Sequence, residues 1–268
     1  MKLNFSKIIP LFSLILCASC SYFSPNNGSE YDPSKCTKNN TALTGKKIYW
    51  LGSSVTLGME SKNTALAEYI DARNGSNSTK EAVSGTTLRT KDCSNNYVKR
   101  MVESSTFDKS EKIDFFICQL STNDCKEKFN REYGVLTAES KINLTDFDTS
   151  TTVGAMEYIV RYASDTWKCP VYFYTNAYFS DSGEKSIKDT KGSDYNALIS
   201  IAKDLAIKWN KVEGVNVDVI DIFNDKAFND ISSEKYRNYM CDAIHPYRRG
   251  YLEWRTPKVE EFLLNKIG

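Results

Sequence analysis

The chain has 268 residues, 41% of them apolar and 26% charged, enough apolar material for one large core or two small ones. Its 35 basic and 34 acidic side chains leave a net charge of +1, without the basic excess that a nucleic-acid surface needs. No internal repeat is present, which argues against a solenoid.

The first twenty residues have the form of an export signal. Lys2 and Lys7 precede an apolar run from Ile8 to Leu16, and small residues follow. The run is shorter than the roughly 20 residues of a membrane span. Leu16-Cys17-Ala18-Ser19-Cys20 resembles a bacterial lipoprotein signal, which implies cleavage after residue 19, acylation of Cys20 and an extracytoplasmic, membrane-anchored protein. A plain secretory leader shares the same pattern. Residues 20–45 are rich in Ser, Asn, Pro, Gly and Lys and lack periodicity, so they read as a flexible tether, with the folded domain spanning 46–268.

From Lys46 onward, short apolar runs alternate with helical patterns. Ile48–Leu51, Glu81–Val83, Ile113–Leu120, Pro170–Tyr174 and Val215–Phe223 read as strands. Between and after them, helices are expected over Ala65–Arg73, Tyr97–Glu103, a segment capped by Thr151 or Thr152, a long segment ending at Trp209, and a last one opened by Thr256-Pro257. This alternation predicts an α/β domain whose parallel sheet carries helices on both faces. Ligands of such sheets sit at the carboxyl ends of the strands.

Setting aside Cys17 and Cys20, six cysteines remain, none in a C-x-x-C pair, so a zinc site is poorly supported. Exported proteins hold disulfides. Cys93 and Cys125 follow two of the polar clusters described next and would be bridged if those loops are neighbours; two free thiols is the alternative. Cys118, inside an apolar run, reads as a buried thiol.

Polar clusters follow the strands: Gly52-Ser53-Ser54, then Ser84-Gly85-Thr86, then Ser121-Thr122-Asn123-Asp124, and finally Asp242-Ala243-Ile244-His245-Pro246. A serine hydroxyl is a poor nucleophile until a base takes its proton. The chain contains one histidine, so any Ser–His chemistry must use His245. Asp242, three residues earlier, is placed to fix the imidazole tautomer. Gly at 85 suits a close backbone approach that tolerates no Cβ. An amide at 123 donates without adding charge.

These clusters, in this order, resemble the four blocks of the SGNH (GDSL-type) hydrolase family over the whole chain from Lys46. Ser53 stands where the family has Asp, and Ser121 where it has Gly; Asp242, His245 and Pro246 match without change. The resemblance implies a three-layer α/β/α, flavodoxin-like fold with about five parallel strands. It implies ester hydrolysis by Ser54, Asp242 and His245, with an oxyanion hole from the Ser54 and Gly85 N–H groups and the Asn123 amide. It requires no metal or organic cofactor. The substrate would be a small-molecule or glycan ester, with O-deacetylation of a cell-envelope glycan suggested by location. A lysophospholipase or thioesterase, an acyltransferase and a non-catalytic glycan-binding lipoprotein are the alternatives. The mixed polar segment from Glu127 to Ser150 is the expected seat of specificity.

Overall fold

A computed structural model describes residues 23–129 and 133–267. The expected leader and Cys20 lie outside the described residues.

Five strands form one sheet: β1 (Lys47–Gly52), β2 (Asn77–Ala82), β3 (Phe115–Gln119), β4 (Val171–Tyr174) and β5 (Val217–Ile220). They are all parallel, in the order β2-β1-β3-β4-β5. Ile48 lies opposite Phe115, Phe116 opposite Val171, and Val171 opposite Val217, so the apolar runs share one register. β3 and β4 are buried along their whole length, as a sheet covered on both faces requires.

The covering helices fall into two groups. Helices Leu66–Asn74 and Thr256–Ile267 pack together. So do Tyr97–Glu103, Thr152–Trp167 and Gly192–Trp209. Thr151 caps the Thr152–Trp167 helix, its hydroxyl accepting the Gly154 N–H at 3.1 Å. Phe116 stacks on Trp167 with ring centroids 5.2 Å apart, and Tyr49 on Phe107 at 4.7 Å, joining the sheet to its covering segments. The result is the three-layer architecture expected from sequence.

Two expectations change. The second strand is Asn77–Ala82, not Glu81–Val83; as an edge strand it is only half-buried, and its polar sequence carries no apolar alternation to read. Of the segment read as flexible tether, residues 23–45 are folded onto the domain. Pro25–Asn27, Ser29–Tyr31 and Pro33–Lys35 form three single turns of 3-10 helix separated by Gly28 and Asp32. Ser24 and Asp32 each cap a turn with Pro at its first position, so the Ser/Pro/Asp composition is turn chemistry rather than disorder. The packed body therefore begins by Ser24, not at residue 46.

Among the described residues no helix is long and apolar enough to cross a membrane.

Candidate active site

The carboxyl end of β1 turns sharply into a single helical turn, Ser54–Leu57. Only glycine fits at position 52, because a Cβ there would lie 1.6 Å from the Thr56 hydroxyl. The turn is fixed from two neighbouring strands and a helical segment. At the end of β3 the fully buried Gln119 offers its carbonyl Oε1 to four donors: Ser53 N at 3.0 Å, Ser53 Oγ at 3.3 Å, Thr56 N at 3.1 Å and Thr56 Oγ1 at 2.7 Å. At the end of β4, Tyr174 OH lies 2.6 Å from Thr56 Oγ1, and Tyr251 OH donates to the Val55 carbonyl at 2.6 Å. Ser53, where the resembled family has Asp, is buried and faces Gln119. Gln119 carries no family signal, and nothing in the sequence marked it.

Ser54 is 7% exposed, and its Oγ lies 2.8 Å from His245 Nε2. His245 Nδ1 lies 2.8 Å from Asp242 Oδ2. The other Asp242 oxygen accepts the backbone N–H groups of Ile244 and His245, both at 2.7 Å. Burial raises the Asp242 carboxyl, but the hydrogen bond and charge of His245, with those two N–H groups, outweigh it and hold the group below its ordinary value. The loop closes on itself: Cys241 N–H donates to the His245 carbonyl at 2.8 Å, Met240 pairs with Pro246, and Ala243 and Ile244 are buried beneath. One carboxylate, one imidazole and one hydroxyl thus stand in a single hydrogen-bonded line.

The other two clusters meet beside that line. Asn123, in the turn Thr122–Cys125 after β3, donates one amide N–H to the Thr86 carbonyl at 3.0 Å. Its second N–H is not used in that bond. Arg100 ties this loop to β1, its Nη2 donating to the Gly52 carbonyl at 2.8 Å and to Thr86 Oγ1 at 3.0 Å. Gly85 has φ of +78°, a left-handed backbone that favours glycine. A Cβ there would meet no atom within 4 Å, so conformation rather than crowding within the protein sets this choice. Asp124 is fully buried and accepts Leu88 N–H at 3.0 Å and Thr152 Oγ1 at 3.0 Å, pinning the 85–88 loop to the helix behind it. Burial pushes its carboxyl up to about 7, against those two hydrogen bonds and the Arg89 charge.

The Cys93–Cys125 bridge does not form. Cys125 is buried in the core, while Cys93 Sγ lies 3.7 Å from the Thr87 hydroxyl. Hydrogen bonds from Asp124 and Asn123 brace the site where a disulfide was expected. The segment expected to set specificity is partly anchored away from the site. Thr137 bonds Glu157 through N–H and hydroxyl, both at 3.1 Å, and Lys208 reaches Thr137 Oγ1 at 2.7 Å and pairs with buried Glu157.

No protein-family model and no curated protein matches the chain. Solved structures do match in shape. A carbohydrate acetylesterase family member from Sinorhizobium meliloti superposes with a TM-score of 0.51 at 13% identity, over 82% of this chain and 99% of that one. A second carbohydrate acetylesterase from S. meliloti gives 0.51 at 15%, over 81% and 98%. A possible lipase from Chitinophaga pinensis gives 0.50 at 14%, over 83% and 99%. The chain has the three-layer α/β/α fold of the SGNH hydrolases.

Proposed function

We propose that this protein is a serine esterase that cleaves carboxylic esters through an acyl-enzyme on Ser54, acting on O-acyl groups of carbohydrate at the cell envelope. The observation that carries the reading is the line Asp242–His245–Ser54, with two 2.8 Å contacts in the order proton transfer needs.

Ser54 Oγ attacks the ester carbonyl carbon while His245 Nε2 takes the hydroxyl proton. Asp242 keeps the imidazole in the tautomer with Nδ1 protonated and stabilises the imidazolium that forms. The carbonyl oxygen becomes an oxyanion facing the Ser54 and Gly85 N–H groups and the Asn123 N–H that Thr86 does not take. Such donors act strongly because they are already oriented; losing one costs about 3–4 kcal/mol in the barrier. Collapse breaks the C–O bond, and His245 returns the proton to the leaving alcohol. Water then repeats the sequence on the acyl-enzyme and releases the acid. No metal or organic cofactor enters these steps.

Two fold relatives described as carbohydrate acetylesterases favour a short acyl group on a sugar. Acylation of Cys20 would hold the enzyme on the extracytoplasmic face of the cell membrane, near envelope glycans. The test is turnover of p-nitrophenyl acetate by the wild type, Ser54→Ala and His245→Ala, followed by acetylated sugars against lysolipids. Activity in the wild type and loss in both variants is expected. An inert wild type, or three equally active proteins, overturns catalysis; a preference for lysolipids overturns the substrate class.

A further inference from the structure

We infer that the N-terminal segment Ser24–Cys36 is a brace for the catalytic histidine loop, with Asn27 as a positioning residue. The side chain of Asn27 is fully buried, which is unusual for an amide. Its Oδ1 accepts the Arg248 N–H at 2.8 Å, three residues beyond His245. Its Nδ2 donates to the Glu60 carbonyl at 2.7 Å, in the loop that follows the nucleophile turn. One amide therefore spans the two halves of the hydrogen-bonded line, the half that carries Ser54 and the half that carries His245.

Neighbouring contacts hold that amide in place. Asp32 pairs with Arg248 Nη1 at 3.0 Å, and the same guanidinium reaches Ser61 O at 3.4 Å and Thr64 Oγ1 at 3.2 Å. Tyr69 OH, on the helix Leu66–Asn74, donates to the Tyr31 carbonyl at 2.7 Å. Within the histidine loop the ties are mostly local: the Asp242 bonds, the Cys241–His245 bond and the Met240–Pro246 pair. Beside the Arg248 side-chain contacts and a 3.9 Å contact of Cys241 Sγ with Glu60, Asn27 adds a fully buried backbone tie to a different part of the chain. Small displacements of a base from its nucleophile are costly, so this bond sets the turnover rate more than it sets binding.

The effect on rate rests on the esterase reading; the bracing does not, and the experiment separates them. Hydrogen exchange and p-nitrophenyl acetate kinetics are measured on the full chain as wild type, Asn27→Ala and Asn27→Asp. Loss of the acceptor in Asn27→Ala is expected to speed exchange of the Arg248 amide roughly fivefold or more, with the β3 amides unchanged. In the same variant kcat is expected to fall about tenfold with KM within about twofold. Asn27→Asp keeps an acceptor for Arg248, so it should recover protection there and part of the rate. Unchanged exchange and turnover in Asn27→Ala overturn the inference, as does equal loss of protection across the sheet in both variants. A wild type inert towards esters overturns the esterase reading alone, and exchange at Arg248 then decides the brace.

Discussion

The two halves of the site are built differently. Ser54 sits on a turn 1–7% exposed from Ser53 to Thr56, bonded to side chains at the ends of β3 and β4. Its position is a property of the sheet and moves only if the core moves. His245 and Asp242 sit on a loop whose polar atoms are partly open, with the Asp242 side chain 45% exposed. That loop is positioned by its own short bonds and by a segment from the other end of the chain. Ser54 is therefore placed by the fold, and His245 by contacts that can be altered while the fold survives. Substitutions at the histidine loop should cut rate at little cost in stability, and those under the nucleophile should cost both.

The largest effect expected is at Asp242. Asp242→Asn keeps the size of the side chain but cannot hold Nδ1 protonated, so kcat should fall roughly 10³- to 10⁴-fold, with the melting temperature nearly unchanged. Equal kcat in the variant would remove the imidazole–carboxylate pair from the reaction. Next comes Gln119. Gln119→Leu leaves two backbone N–H groups and two hydroxyls facing an apolar side chain, and should cost about 4 kcal/mol of stability as well as rate. Gln119→Glu restores an acceptor for the same donors and should be milder, measured by denaturant unfolding; the reverse order would show that Gln119 acts through packing.

That contrast also explains what the sequence could reveal. β1, β3, β4 and β5 announce themselves because strands covered on both faces must be apolar, and the polar residues after them mark the functional edge. The meeting of Ser54, His245 and Asp242 was legible because only one histidine exists and an aspartate stands three residues before it. β2 was misplaced because, unlike the other edge strand β5, it is only half-buried and its sequence Asn77–Ala82 carries no apolar run. Gln119 and Asn27 were invisible for another reason: a buried amide is specified by donors that arrive from distant segments, and no local period encodes them. Ser24-Pro25 and Asp32-Pro33 did carry a readable signal, a cap followed by proline, hidden by a composition that also suits a linker.

Asp124 sharpens the comparison through pH. Its carboxyl is raised in the folded protein to about 7, chiefly by burial, against 3.8 as its ordinary value. The unfolded chain therefore releases this proton first as pH rises, so the group lowers stability progressively between about pH 4 and pH 7 and adds no further change above that. The expected cost across the window is on the order of 4 kcal/mol. Asp124→Asn can still accept from Leu88 N–H and donate to the Thr152 hydroxyl, so it should fold, flatten the pH dependence and be the more stable protein at pH 7. An unchanged slope in urea unfolding from pH 4 to pH 7 would mean that other groups set it.

The smallest effect is expected where the brace meets solvent. Asp32 is held below its ordinary value by the hydroxyl and backbone N–H of Ser34, with opposing desolvation and a lesser contribution from Arg248, so it is charged at neutral pH. Its side chain is 36% exposed, and an ion pair that open to water is worth only a few tenths of a kcal/mol. A lowered carboxyl adds stability above its unfolded value and loses it as pH falls through the folded one, so any contribution disappears on acidification. Asp32→Asn should therefore leave the melting temperature within about 2 °C and kcat within about twofold of the wild type. The buried amide of Asn27, not this pair, holds the segment to the histidine loop. A tenfold rate loss in Asp32→Asn, with the wild-type rate falling as salt is raised and the variant's rate indifferent to salt, would place the hold in the charge and move it outward from Asn27.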